Sequence, residues 1–372
     1  MADADLLESP LQAFHARHGA RFVPFAGWSM PVQYATIQEE HRAVREAAGL
    51  FDVSHMAEFF FSGDQAGAFL DRLLVNAVDA LEPGRAAYSP MCRPDGGVVD
   101  DVIVYRQAPD RFLMVANAAN REKDWLWIAD QPGAGDIERE DASDRYALLA
   151  LQGPRAVAIF TTLAGDAAGD LPRFGFAEFT VGELSLLAAR TGYTGEDGYE
   201  LLVGADQAEA LADRLMEAGA DAGLLPAGLG ARDSLRLEAG LPLYGHELAD
   251  AINPLEAGLG WTVKWKKPAD FNGREALAAV KEAGPARRVR FFIAEDRRTP
   301  REGMAVVDRQ TGAPLGAVLS GSFSPMIGKP IGSALIHTRD VSGHETGLDN
   351  LAVDVRGRSV PIRLAKPPLH RA

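Results

Sequence analysis

Tyr88-Ser89-Pro90-Met91-Cys92-Arg93-Pro94-Asp95-Gly96-Gly97-Val98-Val99-Asp100-Asp101-Val102-Ile103-Val104-Tyr105 places two apolar runs on either side of Asp95-Gly96. Asp-Gly between such runs predicts a hairpin, because the turn needs residues that accept positive φ. The second run is apolar on both faces, the pattern of a strand covered on both sides. Two adjacent carboxylates, Asp100 and Asp101, nonetheless sit in its middle. Asp is depleted in strands, and burying an unpaired carboxylate is costly. Successive residues point to opposite faces, so the two acids cannot share one proton, and one of them must face a cavity or a ligand. With Asp95-Gly96 as a two-residue turn, Pro90 pairs with Asp101 and Tyr88 falls on the same face. A phenol and a carboxylate on one face suit a planar, nitrogen-rich ligand. A salt-bridged structural Asp beside a core Tyr fits the spacing equally well.

Outward from this hairpin, residues 11–50 read as a helix, a short strand and a second helix, with Pro24 and Gly27 interrupting helix between them. The second helix, 38–48, ends at Gly49. A strand over 50–56 and an amphipathic helix over 64–74 follow. A third strand, 112–116, ends at Asn117, and 130–145 is acidic and loop-like. Gly192-Tyr193-Thr194-Gly195-Glu196-Asp197-Gly198-Tyr199-Glu200 predicts another hairpin, with Glu200 at the root of an apolar strand. Gly228 and Gly230 introduce a helix over 231–238 that Gly240 closes. Beyond the linker Ala283-Gly284-Pro285 come six short alternating runs: 289–293, 304–307, 315–319, 331–336, 351–355 and 360–364. They predict a small all-β barrel or sandwich.

The 372 residues suffice for two or three domains. No apolar run approaches a membrane span, and the acidic start, Met1-Ala2-Asp3-Ala4-Asp5, lacks the pattern of an export signal. The single cysteine, Cys92, excludes an internal disulfide and fits a reducing compartment, so a soluble cytoplasmic protein is expected. A net charge of −14 argues against a general nucleic-acid or anionic-membrane binder. Dinucleotide, P-loop, nucleophile-elbow and H-E-x-x-H patterns are missing from the sequence. His246-Glu247 and His344-Glu345 lack a second histidine at metal spacing, so no metal is expected. Cys92 in an apolar strand reads as a small core residue.

Two further pairs draw notice. Arg232 and Arg236 share a helix face, where they repel unless Asp233, Glu238, Asp101 or an acidic ligand intervenes. Glu200, at the base of the hairpin that carries Tyr193, can accept two N–H groups from a guanidine-like ring edge.

Taken in order, Val23-Pro24-Phe25-Ala26-Gly27-Trp28-Ser29-Met30-Pro31-Val32-Gln33-Tyr34, Glu40-His41, the blocks 49–56, 96–101 and 190–200, Ala231-Arg232-Asp233-Ser234-Leu235-Arg236-Leu237-Glu238-Ala239-Gly240 and Asn253-Pro254-Leu255-Glu256-Ala257-Gly258-Leu259-Gly260-Trp261 resemble the aminomethyltransferase (T-protein) family of the glycine cleavage system over nearly the full chain. The resemblance implies an α+β, three-domain, cloverleaf-like folate-binding fold. Residues 1–283 would form the folate-binding region, as two interleaved α+β subdomains with the Asp101 hairpin in the one spanning about 52–135. Residues 285–372 would form a C-terminal all-β barrel domain. It implies transfer of a one-carbon unit from the aminomethyl-lipoyl arm of the H-protein to tetrahydrofolate, with release of ammonia. Asp101 matches the family's key carboxylate. Tyr88, Asn117, Tyr193, Glu200 and Arg232 match folate-site positions, and Met56 a channel wall. The end, Lys366-Pro367-Pro368-Leu369-His370-Arg371-Ala372, departs from the family's pattern, and no folate ligand is assigned there. The alternatives are a folate-dependent demethylase with a small-molecule donor and a non-catalytic folate-binding iron–sulfur assembly factor. The second lacks its Lys-Gly-Cys signature here, and a flavin-dependent relative would need a preceding dinucleotide domain.

Lys264, Lys266, Lys267, Arg287, Arg288, Arg290, Arg297, Arg298 and Arg301 form a candidate basic patch. A solvated charged face is the commoner reading, and a docking surface for an acidic carrier the sharper one. Reversing the charges of Arg297 and Arg298 is expected to raise the apparent KM for the carrier in a steady-state assay, and an unchanged KM removes the docking role.

Overall fold

The computed structural model describes residues 6–339 and 346–371, so the acidic start at 1–5, His344-Glu345 and Ala372 lie outside the described residues. The chain divides into two compact units. One comprises Met1–Leu73, Ala77–Ser89 and Val102–Arg232, and the other Leu74–Asn76, Pro90–Asp101 and Asp233–Ala372.

The hairpin strands, Arg85–Cys92 and Val98–Ala108, begin a five-stranded sheet that continues through Arg111–Ala116, Ala57–Ser62 and Glu138–Asp141. Alternation splits this sheet into two chemically different faces. On one, Phe59 pairs with Met114, Phe61 with Phe112 and Val104 with Met114. All five side chains are buried. Phe61 packs on Phe69 of the helix Ala66–Leu73, ring centroids 6.4 Å apart, and Phe59 on Trp125 of the helix Arg121–Ala129 at 5.2 Å. Each such phenylalanine contributes about 1.5–3 kcal/mol through burial. On the opposite face Glu58 pairs with Val115 and Val115 with Ile103; Phe60 pairs with Leu113 and Leu113 with Tyr105. Asp100 is in step with Val102 and Val104 on the helix-covered side and is fully buried, whereas Asp101 is in step with Ile103 and Tyr105 and is half-buried. The strand is thus closed on one side and half-open on the other, not covered on both.

The same unit holds a six-stranded sheet in the order Phe176–Val181, Leu184–Ala189, Gly198–Gly204, Tyr146–Gln152, Ala48–Asp52, Leu224–Pro226. Its apolar side packs with Ile159 and Phe160 of the helix Ala156–Ala164 and Leu211 and Leu215 of the helix Ala208–Gly219.

Several local expectations are corrected. The second helix is Ile37–Glu46, and Gly49 sits inside the next strand rather than closing the helix. A Cβ there would lie 2.4 Å from Val44 Cγ2, so close approach of helix and strand demands the glycine. The strand expected over 50–56 ends at Asp52. The short strand before that helix is a hairpin, Arg21–Phe25 with Trp28–Gln33, turning at Ala26 (φ 49°) and Gly27 (φ 83°). The acidic stretch 130–145 contains the edge strand Glu138–Asp141.

In the second unit, the Asp-Gly turn closes differently from the two-residue expectation. Arg93 N donates to Gly97 O (2.8 Å) and Gly96 N to Arg93 O (3.0 Å), enclosing Pro94, Asp95 and Gly96, the last at φ 88°. The register that set Pro90 against Asp101 therefore does not follow from the turn. Val98 N donates to Ala249 O and Ile252 O, and Arg93 pairs with Asp250 at 2.8 Å, so the hairpin tip is seated on that loop. The six predicted C-terminal runs form a closed barrel ordered Arg287–Ala294, Lys329–His337, Pro314–Ser324, Ala305–Asp308, Leu351–Val355, Arg358–Leu364. Pairing of Ile293 with Arg363 closes it, and Phe292, Val306, Val318, Ala334 and Val353 fill it. The basic patch is partly dismantled. Lys267 is buried, its Nζ donating to Leu74 O (2.6 Å) and Asn76 O (2.9 Å), and Arg287 pairs with Glu256 at 2.9 Å.

Gly240, φ 78°, ends the helix Leu229–Ala239, and a Cβ on it would meet Pro367 Cβ at 2.2 Å. Gly240→Ala is expected to destabilise the protein by about 1–3 kcal/mol in urea unfolding, from strain and overpacking together. Wild-type stability in the variant would refute this seating of the C-terminal segment.

Candidate functional site

The first unit contains Met56, Tyr88, Asn117, Tyr193, Glu200 and Arg232, and two anchors that depend on glycine hold the segments carrying Tyr193 and Arg232. Tyr193 lies in the 192–197 loop between the paired strands Leu184–Ala189 and Gly198–Gly204. That loop is fastened from below by the buried amide of Gln152, whose Nε2 donates to Thr191 O (3.0 Å) while its Oε1 accepts from Thr194 Oγ1 (3.0 Å). A Cβ at Gly192 would fall 1.9 Å from Gln152 Oε1, so only glycine admits this clasp. Arg45 Nη1 donates to Thr194 O and Glu196, each at 2.8 Å, and Arg190 grips Asp197 through two bonds of 3.0 and 2.6 Å.

The second anchor is Glu40. Its buried carboxylate accepts Tyr34 N (2.6 Å), Ala35 N (3.1 Å) and Gly228 N (2.9 Å). A Cβ at Gly228 would lie 2.4 Å from the Val32 carbonyl carbon. Burial pushes the Glu40 carboxyl above its ordinary range, and the three amides oppose that. This clamp fixes the start of the helix Leu229–Ala239, where Arg232 N donates to Gly228 O (3.0 Å). The Arg232 guanidinium then stacks 4.6 Å from the Tyr193 ring centroid, a cation–π contact. Arg236 turns elsewhere, bonding Glu247 (2.7 Å), Asp233 (2.9 Å) and Ser320 (2.8 Å), so the expected like-charge repulsion is relieved by separate partners.

Glu200 is buried, pairs with Ala150 and Ala189 in the sheet, and accepts Thr191 Oγ1 at 2.5 Å. Tyr105 stands nearby, electrostatically coupled to Glu200 and bonded to Thr191, with its ring edge-on to Phe176 at 5.4 Å; burial pushes its phenol well up. Met56 and Asn117 flank the paired residues Ala57 and Ala116 at one end of the five-stranded sheet. Met56, Tyr88, Asn117, Tyr193 and Arg232 are all half-buried. In the second unit Asp101 is half-buried, and the charge of Asp100 is felt by Tyr244, whose phenol donates to Asp250 at 3.0 Å.

Sequence reasoning passed over His55, Glu58 and Tyr105. His55 is buried with Nδ1 lacking a hydrogen-bond partner, its ring edge-on to Phe25 at 5.4 Å. Burial and then the Arg232 charge lower its pKa to about 4, against an opposing pull from Asp52. Asp52 is itself held by His15 Nε2 (2.8 Å), Ser54 N (2.8 Å) and Ser9, and His15 by Tyr34 (2.9 Å). The signal for Glu58 was present: a carboxylate opening the run Phe59-Phe60-Phe61. Cys92 is buried, which pushes its thiol up and out of reactive range. His246 Nδ1 bonds Leu319 O at 2.9 Å. Among the described residues no group of His, Cys, Asp and Glu has metal-holding geometry, and no helix is long and apolar enough to cross a membrane.

Residues 11–267 match the family model described as the GCVT N-terminal domain, and residues 287–370 that of the glycine cleavage T-protein C-terminal barrel domain. The chain is similar to the aminomethyltransferase of Symbiobacterium thermophilum, 48% identical over 373 residues, covering 99% of this chain and 98% of the relative. It is 44% identical to that of Bacillus subtilis over 367 residues, covering 98% and 99%. The crystal structure of glycine cleavage system aminomethyltransferase T from Bartonella henselae superposes with a TM-score of 0.89 at 32% identity, covering 98% of both chains.

The depressed His55 pKa has a consequence for stability. Above pH 6.5 the group is neutral folded or unfolded; below it the unfolded chain takes up a proton that the folded one refuses. Wild type is therefore expected to lose up to about 3 kcal/mol between pH 6.5 and 4 from this group. His55→Gln should remove that component, seen as a flatter pH dependence in urea unfolding. Parallel curves for the two proteins would refute it.

Proposed function

The chain belongs to the glycine cleavage T-protein family and is an aminomethyltransferase, and on that premise we propose how its own residues serve the reaction. The donor is the aminomethyl group on the lipoyl arm of the H-protein and the acceptor is tetrahydrofolate. The donor methylene exchanges its bonds to sulfur and nitrogen for bonds to two folate nitrogens. The two N–H protons so displaced leave with the ammonia and the thiol, which balances the reaction without an oxidant. The small-molecule demethylase and the iron–sulfur assembly reading are not favoured.

A reduced pterin presents an amine and ring N–H groups along one edge. Glu200, a buried acceptor already oriented by Thr191 at 2.5 Å, suits that edge, as a carboxylate accepting two N–H bonds. Tyr193 is braced by Arg232 at 4.6 Å and offers a rigid aromatic wall, while Tyr88, Met56 and Asn117 contribute further half-buried lining. Asp101 is the catalytic carboxylate. It orients the attacking nitrogen and stabilises positive charge as ammonia departs, an interaction stronger in the transition state than in the ground state. What carries this assignment is the split between the two acids, Asp100 sealed at 0% exposure and Asp101 half-buried on the opposite side of its strand. The folate-binding region is assigned to residues 1–283 and the barrel domain to 285–372. Its single, buried cysteine supports a reducing, cytoplasmic location.

Asp101→Asn is expected to keep the fold and lose most of the tetrahydrofolate-dependent ammonia release from aminomethyl-loaded H-protein, a drop of about 10²-fold or more, whereas Asp100→Asn keeps it. Equal losses in the two purified variants, at wild-type stability, would overturn the assignment.

A further inference from the structure

Glu58 is a buried acid that none of the roles above uses. It is 1% exposed, and neither Oε1 nor Oε2 has a hydrogen-bond partner. Its backbone is fully engaged, N with Ser143 Oγ (3.0 Å) and O with Ala142 N (3.0 Å), so the strand holds the side chain in place. Among the described residues no cation is hydrogen-bonded to it. Arg121 acts on it at a distance but is already taken by Asp141 and Asp144, each at 2.8 Å. Burial pushes its carboxyl well above the ordinary range, with Asp141 and Asp144 adding to the effect, which favours the protonated form.

Its position gives that state a use. Glu58 pairs with Val115, and Val115 with Ile103, on the face opposite the helices; Leu113 and Tyr105 form the next row. Met56 and Asn117 lie just beyond the ends of the two paired strands, next to Ala57 and Ala116. Tyr105 couples electrostatically to both Glu200 and Glu58, so two carboxyl groups flank one phenol. They are not equivalent. Glu200 already accepts a hydrogen bond from Thr191, and in the role proposed above it serves the N–H groups of a heterocycle. The ring carbonyl of the same heterocycle needs a donor. A carboxylic acid kept neutral by its surroundings supplies one, and its own carbonyl accepts the neighbouring N–H.

We propose that Glu58 is a ligand-recognition residue whose neutral carboxylic acid hydrogen-bonds the amide-like C=O/N–H edge of the reduced pterin, an inference that rests on the folate reading above. Apart from the strand alternation, the unpaired oxygens carry it: a side chain with both polar atoms buried and unmet is built for a partner that arrives later.

The test is isothermal titration calorimetry of tetrahydrofolate into the full-length wild type, Glu58→Gln and Glu58→Leu under anaerobic conditions, with ligand-free melting temperatures recorded alongside. Glu58→Gln keeps one donor and one acceptor and should bind within about threefold of wild type, whereas Glu58→Leu should weaken binding by about tenfold or more. The ligand-free melting temperature of Glu58→Leu should stay level or rise. A Leu variant that binds like wild type, or a Gln variant as weak as the Leu variant, overturns the role of Glu58 while leaving folate binding intact. A wild type that takes up no tetrahydrofolate overturns the folate reading and this inference with it. If the Leu variant does not fold, the pH dependence decides. Wild-type affinity should fall on the alkaline side as Glu58 ionises, while that of Glu58→Gln stays flat, with Arg121, Asp141, Asp144 and Tyr105 common to both proteins and cancelling. Parallel profiles overturn the proposal.

Discussion

The strict two-residue alternation of the five-stranded sheet governs what its residues can do. Helices cover one face so completely that Phe59, Phe61, Phe112 and Met114 are each at most 1% exposed, which leaves that face no room for a ligand. Residues one out of step with the phenylalanines stand on the other face. Glu58, Tyr105 and Asp101 all obey this parity. A one-residue slip would bury them among aromatic rings, so the packing of Phe61 on Phe69 and of Phe59 on Trp125 fixes their register.

Placement of the remaining side chains comes from backbone clamps rather than from apolar packing. Glu40 ties the Tyr34 and Ala35 amides to that of Gly228, far along the chain, Gln152 fastens Thr191 and Thr194 of the Tyr193 loop, and each works only because a glycine stands where a Cβ would collide. Arg232 and Tyr193 are the outputs of these two clamps, and they meet face to face at 4.6 Å. Buried carboxyl and amide groups of this sort are worth more as positioning devices than as stability, since breaking one partner leaves the other unmet. The adjacent His55, neutral because of burial and of Arg232, keeps a second positive charge away from the stacked guanidinium.

Where local chemistry and tertiary demand coincide, the sequence was legible. The barrel strands read directly because each alternates and is bounded by turn residues, and the Tyr193 hairpin because its glycines punctuate it. Misreadings arose where a third partner decides. The Asp95-Gly96 turn encloses three residues because its tip is pulled onto the 249–252 loop, where Gly97 lies so close that a Cβ would meet Asp250 O at 1.9 Å. Ala26 adopts φ 49°, which few non-glycine residues do, so the first hairpin carried no Asn-Gly or Asp-Gly signature. Glu138–Asp141 looked like loop because it is an edge strand, and edges are charged to discourage further pairing. The expected basic patch contained Lys267, whose surroundings only the fold reveals.

One rule reads the acids that lie within apolar strands. A carboxylate inside an apolar strand must be paired, neutral or facing a ligand, because the sheet itself offers it no acceptor-to-donor match. Applied at Asp100-Asp101, that rule separates a sealed residue from a half-exposed one. Applied at Glu58, beside three phenylalanines, it gives a different answer: buried like Asp100, yet with both oxygens unmet, the group is pushed toward its neutral form. Glu200, buried as well, resolves the same demand by accepting the Thr191 hydroxyl. Acids of one chemical type thus meet burial in different ways, and the neighbours each one finds decide which way it takes.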